Sequence, residues 1–207
     1  MGLNLKTTTG KVIASLALVG TAAGVAGLGT YGAFTSSTSA SAAVGSGTVN
    51  IALGTTAATN RLNVAATGIV PGDTIQRAVT LSNAAGNQNL SAVTLTTAAT
   101  TTSTKLDSDA TNGLQVVVDR CSTGWVEAGT APAYTYTCAG TTSIVLASHA
   151  VVGANMALAN LSSLTAGNTD SLRVTMTLPA TADNTFESLS STVGFTFTGT
   201  QRTATDQ

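Results

Sequence analysis

The chain has 207 residues, of which 43% are apolar, 8% are charged and 4% are aromatic. Soluble domains are typically about a quarter charged, so this composition does not fit an ordinary cytosolic enzyme. Eight Lys and Arg residues against nine Asp and Glu residues give a formal net charge of -1. This balance leaves no basic surface for phosphates and excludes DNA and RNA as electrostatic partners.

The first 33 residues have the layout of a secretory signal peptide. Two lysines precede an apolar, Gly- and Ala-rich run from Val12 to about Ala33, and a Ser/Thr/Ala stretch follows. A retained transmembrane anchor is the alternative, because the run is slightly long for a signal and places Gly20 and Gly24 at a small-xxx-small spacing. We favour the signal, since Gly and Ala are only weakly apolar in lipid. The protein would then be secreted and would contact a membrane only transiently.

Removal of residues 1–33 would leave 174 residues, enough for one domain with a substantial core. About a fifth of all residues are Thr, which favours β-structure and predicts an all-β protein. Six basic residues against nine acidic ones would give the mature chain a net charge of -3. We expect residues 34–53 to form an N-terminal segment with a first strand, and residues 54–207 to form the domain.

Nine segments rich in β-branched residues recur between turn signals, which is typical of an antiparallel β-sandwich. Apolar and polar residues alternate most clearly from Leu172 to Leu178, and a second alternation runs from Val193 to Phe197. These two segments are the predicted core strands. The nine segments are Gly47 to Leu53, Arg61 to Ala66, Thr74 to Ser82, Leu90 to Thr97, Gly113 to Arg120, Tyr134 to Cys138, Ser143 to Ala147, Ser171 to Leu178 and Thr192 to Thr200.

Two further stretches are less regular. Asn155 to Leu164 has apolar residues at a spacing that fits either a short helix or irregular chain over one end of the sandwich, and we favour the helix. Thr96 to Thr104 is a low-complexity Ala/Thr/Ser stretch, which predicts either the end of a strand or a mobile loop.

Cys121 and Cys138 lie in the exported part of the chain, and two cysteines permit only one intramolecular pairing. An oxidised bridge is the simplest interpretation, and closing a loop of that size would stabilise the fold by about 3 kcal/mol. Two free thiols or half of a metal site are the alternatives. Trp125, Tyr134 and Tyr136 lie near this pair in the sequence, which predicts either a ligand-stacking patch or packing against the bridge.

Short motifs with a distinctive order occur along the chain. They are Gly29 to Phe34 (GTYGAF), Ser46 to Ile51 (SGTVNI), Val70 to Thr74 (VPGDT), Val79 to Asn83 (VTLSN), and Phe195 to Phe197 (FTF) with Gln201. In this order they resemble the TasA/camelysin family, and the resemblance covers both ends and the first third of the mature chain. The section between the two cysteines resembles only those actinobacterial members that carry a Cys pair.

The resemblance implies an exported protein with a jelly-roll fold, cut between Ala33 and Phe34 by the signal peptidase dedicated to that system. A generic cleavage rule would instead cut after Ala42. Family members form extracellular fibres of the biofilm matrix, in which the mature N-terminal stretch of one subunit completes a sheet of its neighbour. That stretch would run here from Phe34 to about Leu53, with a second copy of the chain as partner and other matrix or surface proteins as further candidates. Its large apolar positions are Phe34, Val44, Val49, Ile51 and Leu53.

The residues that follow the signal agree with this mode of assembly. Phe34 to Val44 is too small and polar to form a core, but main-chain hydrogen bonding to an exposed sheet edge needs no large side chains. Such donation is head-to-tail, so it can propagate as a filament. The alternatives are a disordered tail on a monomeric domain, or a monomeric adhesive domain that binds through Trp125 and the loop between the cysteines.

Some members of the family carry a metallo-endopeptidase label, which directs attention to candidate catalytic residues. A hydrolytic zinc site usually has three protein ligands, but His149 is the only histidine, expected in an exposed loop, and no H-E-x-x-H motif occurs. No G-x-S-x-G elbow for a serine nucleophile and no acid–base pair of carboxylates is present. Asp107 to Gly113 resembles half of a calcium loop, but an ordinary turn is favoured. We predict no catalytic residue, no metal or cofactor, and no enzyme activity.

Overall fold

Alternating apolar and polar residues form long antiparallel strands in the computed structural model, which describes residues 35–39, 51–53, 60, 62, 64–100 and 103–202. The strands are β1 (Thr35–Ser39), β2 (Ile51–Leu53), β3 (Val64–Thr67), β4 (Thr74–Asn83), β5 (Leu90–Ala99), β6 (Gln115–Cys121), β7 (Trp125–Thr130), β8 (Ala133–Cys138), β9 (Thr142–Ala150), β10 (Gly153–Ala157), β11 (Thr169–Thr177) and β12 (Ser190–Gln201). The helical elements are α1 (Lys105–Ser108) and a 3-10 helix (Asn184–Phe186).

The strands form two five-stranded sheets and a separate hairpin. The first sheet has the order β1-β12-β5-β10, and β3 also pairs with β12, on the same side as β1. The second sheet has the order β2-β4-β11-β6-β9, and β7 pairs with β8. Apart from β1, β2 and the hairpin, the eight remaining strands are ordered first-eighth-third-sixth and second-seventh-fourth-fifth along the chain. This is the double sheet of a jelly roll, so the predicted all-β, jelly-roll-like antiparallel sandwich is confirmed.

The main core lies between the two sheets and is built from alternate residues of the strands. On β11, Leu172, Val174 and Met176 are each at most 1% exposed, and on β12 the side chains of Phe195 and Phe197 are buried. Each such side chain contributes about 1.5–3 kcal/mol of hydrophobic stabilisation. The two segments predicted as core strands are therefore the core strands of the structure.

The helix predicted over Asn155–Leu164 is wrong. The first part of this stretch belongs to β10, and the chain then runs irregularly because its amides donate to neighbouring strands rather than to carbonyls four residues earlier. The amide of Leu158 donates to the Val93 carbonyl over 3.0 Å, and the amide of Ala159 donates to the Val145 carbonyl over 2.9 Å.

The short helix α1 lies instead directly after the low-complexity stretch Thr96–Thr104. That stretch completes β5 and then provides the N-cap of α1, with residues 101–102 outside the described part. The Thr104 hydroxyl accepts the amide of Leu106, and the Asp107 carboxylate accepts the amide of Thr104. This reciprocal capping box satisfies amides that the first helical turn leaves without intrahelical partners.

The predicted signal peptide, residues 1–33, lies outside the described residues. In the ranges that are described, no helix is long and apolar enough to cross a membrane.

Replacing Phe197 by Ala should lower the free energy of unfolding by about 3–5 kcal/mol, because it removes a fully buried ring from the centre of the core. Thr198→Ala, one position along the same strand and on the opposite face, should cost less than about 1 kcal/mol. Denaturant unfolding of the purified protein measures both values. Equal losses for the two variants would contradict the assigned faces of β12.

Candidate assembly edge and disulfide-bonded hairpin

β1 lies at the edge of the first sheet. It pairs antiparallel with β12 in an unbroken register that runs from Thr35 opposite Thr200 to Ser39 opposite Thr196. The sequence of β1 is TSSTS, without a charged or large apolar residue. Because Ser and Thr offer little apolar area, main-chain hydrogen bonds supply most of the stabilisation available to this strand.

The same edge of β12 is shared by two segments. β3 pairs with residues 190–193 of β12, and β1 pairs with residues 196–200. Phe197 lies in the β1-paired part and is fully buried, so this stretch of the edge borders the main core. Without β1, the main-chain groups on this side of residues 196–200 would form an unpaired strand edge. β1 is therefore the strand that completes the first sheet; we call this stretch of β12 the assembly edge.

The predicted donor segment, residues 34–53, contributes to both sheets. β1 joins the first sheet, whereas β2 pairs with Leu81–Asn83 of β4 in the second. Both pairings are made within one chain in this structure. Of the predicted apolar donor positions, Ile51 and Leu53 lie in β2. The other three, Phe34, Val44 and Val49, lie outside the described residues, as does the predicted cleavage site after Ala33.

A disulfide attaches the hairpin to the second sheet. Cys121 at the end of β6 is bonded to Cys138 at the end of β8, with 5.7 Å between their Cα atoms and a sequence separation of 17. The predicted pairing is confirmed.

Gly129 near the tip of the hairpin has φ of +85°, and a Cβ there would lie 2.4 Å from the Ala133 carbonyl oxygen. The turn of the hairpin therefore requires glycine at this position.

The disulfide and two aromatic rings form a second, smaller core between the hairpin and the sheet. Trp125 and Tyr136 are buried against Cys121 and Ala78. The indole Nε1 of Trp125 donates to the Ser171 carbonyl over 3.1 Å. Of the two predicted roles for these aromatic residues, the structure has packing against the bridge rather than an open ligand-stacking patch.

Arg173 of β11 connects this small core to the sheet. Its guanidinium carbon lies 4.1 Å from the centre of the Trp125 ring, and its Nη2 and Nε donate to the two Asp119 oxygens over 2.6 and 3.1 Å. Its Nη1 donates to the Tyr136 carbonyl over 3.1 Å.

Burial, together with the hydrogen bond and charge of Glu127, raises the pKa of Tyr136 to about 12. The tyrosine hydroxyl therefore stays protonated and donates to Glu127 over 2.7 Å.

Asp170 is the most deeply buried acidic residue of the sheets, at 1% exposure. It accepts hydrogen bonds from Arg120 Nη1 over 3.0 Å and from the amides of Ser162 and Ser163 over 3.1 and 2.8 Å. Burial by itself raises the pKa of Asp170, but the hydrogen bonds from Ser163, Ser162 and Arg120 outweigh it and hold the pKa below the ordinary value of 3.8. The carboxylate therefore fixes the loop after β10 to the end of the second sheet.

The acidic stretch Asp107 to Gly113 forms a cap and a turn. Asp107 caps α1, and Asp109 Oδ1 accepts the amides of Thr111 and Asn112 over 3.0 and 2.9 Å. A Cβ on Gly113 would lie 2.4 Å from the Asp109 carbonyl oxygen, so this turn also requires glycine. These contacts are those of a structural Asp/Asn/Gly turn.

The only histidine of the sequence, His149, is exposed as predicted, but it lies within β9 rather than in a loop. Its Nδ1 lies 2.9 Å from the Ala150 carbonyl oxygen. Across the described residues, no group of three or more His, Cys, Asp or Glu side chains is arranged to hold a metal ion.

A family model described as Camelysin metallo-endopeptidase matches residues 4–206, which is nearly the whole chain. The chain belongs to this family. It is the TasA/camelysin family to which the short motifs pointed, so the resemblance is confirmed. Comparisons with curated proteins and with solved structures gave no match.

The prediction of no enzyme activity is wrong by this assignment, because the camelysin family is described as a metallo-endopeptidase family. A hydrolytic metal site usually takes three protein ligands. Both cysteines are held in the disulfide, and among the described residues His149 belongs to no group of three or more metal-ligating side chains. The described residues therefore do not fit a conventional three-ligand centre, and no catalytic step is assigned to them.

Replacing both Cys121 and Cys138 by Ser should lower the free energy of unfolding by about 3 kcal/mol, because the unfolded chain regains the freedom of a closed loop of this length. The emission of the only tryptophan, Trp125, should shift to the red as the small core loosens. Wild-type protein treated with reductant is the matched control and should behave like the double variant. Unchanged unfolding in both samples would contradict a stabilising bridge.

Asp170→Asn should destabilise the protein by about 3 kcal/mol at neutral pH, because it leaves Arg120 without its buried partner. Since the folded-state pKa of Asp170 is depressed, its contribution is fully present above the ordinary carboxyl value and is lost as the pH falls below it. The unfolding free energy of the variant should thus fall less steeply than that of the wild type below about pH 4. Parallel curves for the two proteins would overturn this assignment.

Proposed function

We propose that this protein is a secreted structural subunit of extracellular or cell-surface fibres, in which β1 of one copy pairs with the assembly edge of the next. Membership of the TasA/camelysin family supports a secreted matrix protein. The observation that carries the proposal is the pairing of β1 with residues 196–200 of β12. β1 is short, uncharged and close to the start of the predicted mature chain, and it fills an edge that borders the core.

The same register can be formed between chains as within one chain. In both cases β12 receives the same main-chain hydrogen bonds, so exchange of β1 between copies costs little pairing energy. Each subunit that accepts a foreign β1 releases its own to the next copy, and the contact therefore propagates head-to-tail. β2 stays with its own chain in this scheme, so the donated segment ends before Ile51.

The length of chain between β1 and β2 permits the exchange. Residues 40–50 separate the two strands in the sequence, and a fully extended segment of this size spans up to about 40 Å. That reach exceeds the diameter of a small domain, about 30 Å. Natural edges are often blocked by lysines, and neither β1 nor β12 contains one.

The family description supports a second candidate function, metal-dependent peptide hydrolysis. The test is cleavage of casein by the purified protein with and without a chelator, alongside a His149→Ala variant. Chelator-sensitive cleavage that the variant loses would assign the activity to this histidine. Cleavage retained by the variant would place the metal ligands elsewhere in the chain.

Deletion of Phe34–Val44 should abolish filaments seen by electron microscopy of the secreted protein. The circular dichroism spectrum and cooperative unfolding should be retained, because the buried core residues of the described part run from Leu62 to Phe197. Truncated protein that still polymerises would contradict strand donation.

Cysteine pairs can report which chain supplies β1. Ser37 and Thr198 face each other in the β1–β12 register, so Ser37→Cys with Thr198→Cys should form a disulfide. Non-reducing gels of filaments should show ladders of cross-linked chains. The matched control is Thr96→Cys with Thr196→Cys, which face each other between β5 and β12 and should cross-link only within one chain. Monomeric bands from both pairs in filaments would rule out exchange of β1.

A further inference from the structure

The second sheet has a strand edge along the first part of β4. β2 pairs only with Leu81–Asn83 of this strand, and β11 lies on its other side. Residues 74–80 of β4 therefore have one side on which none of the described strands pairs with them. We call this side the β4 edge. It is longer than the five residues of β1, so its length would allow β1 of another copy to pair there.

Side chains bind the main-chain groups of the β4 edge. The amide of Thr80 donates to Asn60 Oδ1 over 2.7 Å, and the Gln76 carbonyl accepts Nη1 of Arg77 over 2.6 Å. Alternate residues of a strand point their main-chain groups to the same side, so both groups belong to this edge. The amide of Tyr136 donates to Gln76 Oε1 over 3.1 Å, which ties β8 of the hairpin to the same part of β4.

Arg77 reaches the β4 edge from the core side of the sheet. It lies opposite Val174 in the β4–β11 register, and Val174 belongs to the main core. The next residue, Ala78, faces the hairpin and packs in the small core with Trp125. The guanidinium carbon of Arg77 nevertheless lies 5.3 Å from the centre of the Tyr134 ring in the hairpin. The side chain therefore bends around the edge from one face of the sheet to the other.

A charged residue that points inward from an edge strand is a device that prevents a further strand from pairing there. A strand that docked on residues 74–80 would have to take the Gln76 carbonyl from the guanidinium of Arg77. Arg77 is only 7% exposed, so the loss of this acceptor would leave a donor of a buried charge without it. Pairing at the β4 edge is therefore less favourable than pairing at the assembly edge.

β1 itself has no means of choosing between edges. Its sequence, TSSTS, offers no large or charged side chain that would recognise one strand over another. Specificity must then come from making the wrong edges unfavourable. The described strands of the first sheet carry no charged residue, so the assembly edge has no such block.

The outer edge of β9 is also occupied by groups of the same chain. The Ile144 carbonyl accepts Nδ2 of Asn160 over 2.9 Å, and the Val145 carbonyl accepts the amide of Ala159 over 2.9 Å. Both ends of the second sheet are therefore protected by contacts within the subunit.

We propose that Arg77, supported by Tyr134 of the hairpin, blocks the β4 edge against β1 of a second copy and thereby restricts strand donation to the assembly edge. This inference rests on the proposed function, because it concerns which edge of a fibre subunit receives the donated strand. The disulfide tethers β8 to the second sheet and so keeps Tyr134 beside the guanidinium. With one acceptor edge per subunit, the fibre grows without branches.

The test compares fibres of the wild-type secreted protein with those of an Arg77→Met variant, which keeps an unbranched apolar side chain but loses the charge and the donors. Arg77→Lys keeps the charge and a donor and should behave like the wild type. Val79→Ala is the matched control for lost stability, because it removes buried atoms from the same strand without touching the edge. Circular dichroism and cooperative unfolding verify each fold, and Arg77→Gln replaces Arg77→Met if the latter does not fold.

Arg77→Met should form branched fibres in electron micrographs, because each subunit then offers two acceptor edges. On assembly of this variant, hydrogen exchange of amides in residues 74–80 should slow by about fivefold, the effect of one added main-chain hydrogen bond. The wild type, Arg77→Lys and Val79→Ala should show no such slowing. A general loss of stability would speed exchange, so this readout separates blocking of the edge from a purely structural role.

Unbranched Arg77→Met fibres without slowed exchange in residues 74–80 would overturn this inference and leave the proposed function standing. Equal branching of Val79→Ala or Arg77→Lys fibres would also overturn it. If the wild type forms no fibres, the proposed function fails. Association of Arg77→Met copies with slowed exchange in residues 74–80 would then still support the block at Arg77, whereas no association would overturn both.

Discussion

Main-chain hydrogen bonding along β12 is the interaction on which the rest of the structure depends. This strand pairs with β5 on one side and with β3 and β1 in turn on the other. Its inward residues Phe195 and Phe197 belong to the core, and its threonines lie on the opposite face of the sheet. A slip of one residue would exchange these two sets. The buried phenylalanines therefore hold the register that the assembly edge requires.

The few charges of the protein are concentrated where they find partners. Asp119 pairs with Arg173, and Asp170 pairs with Arg120. Asp183 Oδ1 lies 3.7 Å from Lys105 Nζ. The first two pairs lie on the second sheet, where the buried Asp170 and the partly buried Asp119 would be costly to desolvate without hydrogen bonds. The ion pairs therefore order the chain around the second sheet, whereas the described strands of the first sheet carry no charged residue.

Sequence periodicity was enough to find most of the sandwich. Long strands such as β11 and β12 alternate strictly between turn signals, and the two cysteines had only one possible pairing. β10 was missed because Met156, at the end of this short strand, and Leu158 and Leu161, which follow it, have a spacing that also fits a turn of helix. The hydrogen bonds to β5 and β9 that decide its conformation come from segments distant in the sequence.

The assembly edge and the ion pairs were harder to predict from the sequence than the strands. The edge that receives β1 lies about 160 positions further along the chain, and a Ser/Thr strand carries no pattern that identifies its partner. Arg120 and Asp170 are likewise 50 positions apart and meet only after the sheet has formed. Sequence analysis could name the proposed donor segment from a family resemblance, but the register of β1 on β12 required the assembled sheet.

The β7–β8 hairpin lies between the fourth and fifth strands of the jelly-roll order and outside both five-stranded sheets. It forms its own small core and is tethered at Cys121 and Cys138, so the eight-strand framework closes without it. The hairpin can therefore be lost or lengthened without altering how β12 is paired. Its tip is accordingly the natural position for grafting a tag or a foreign epitope onto the proposed fibre.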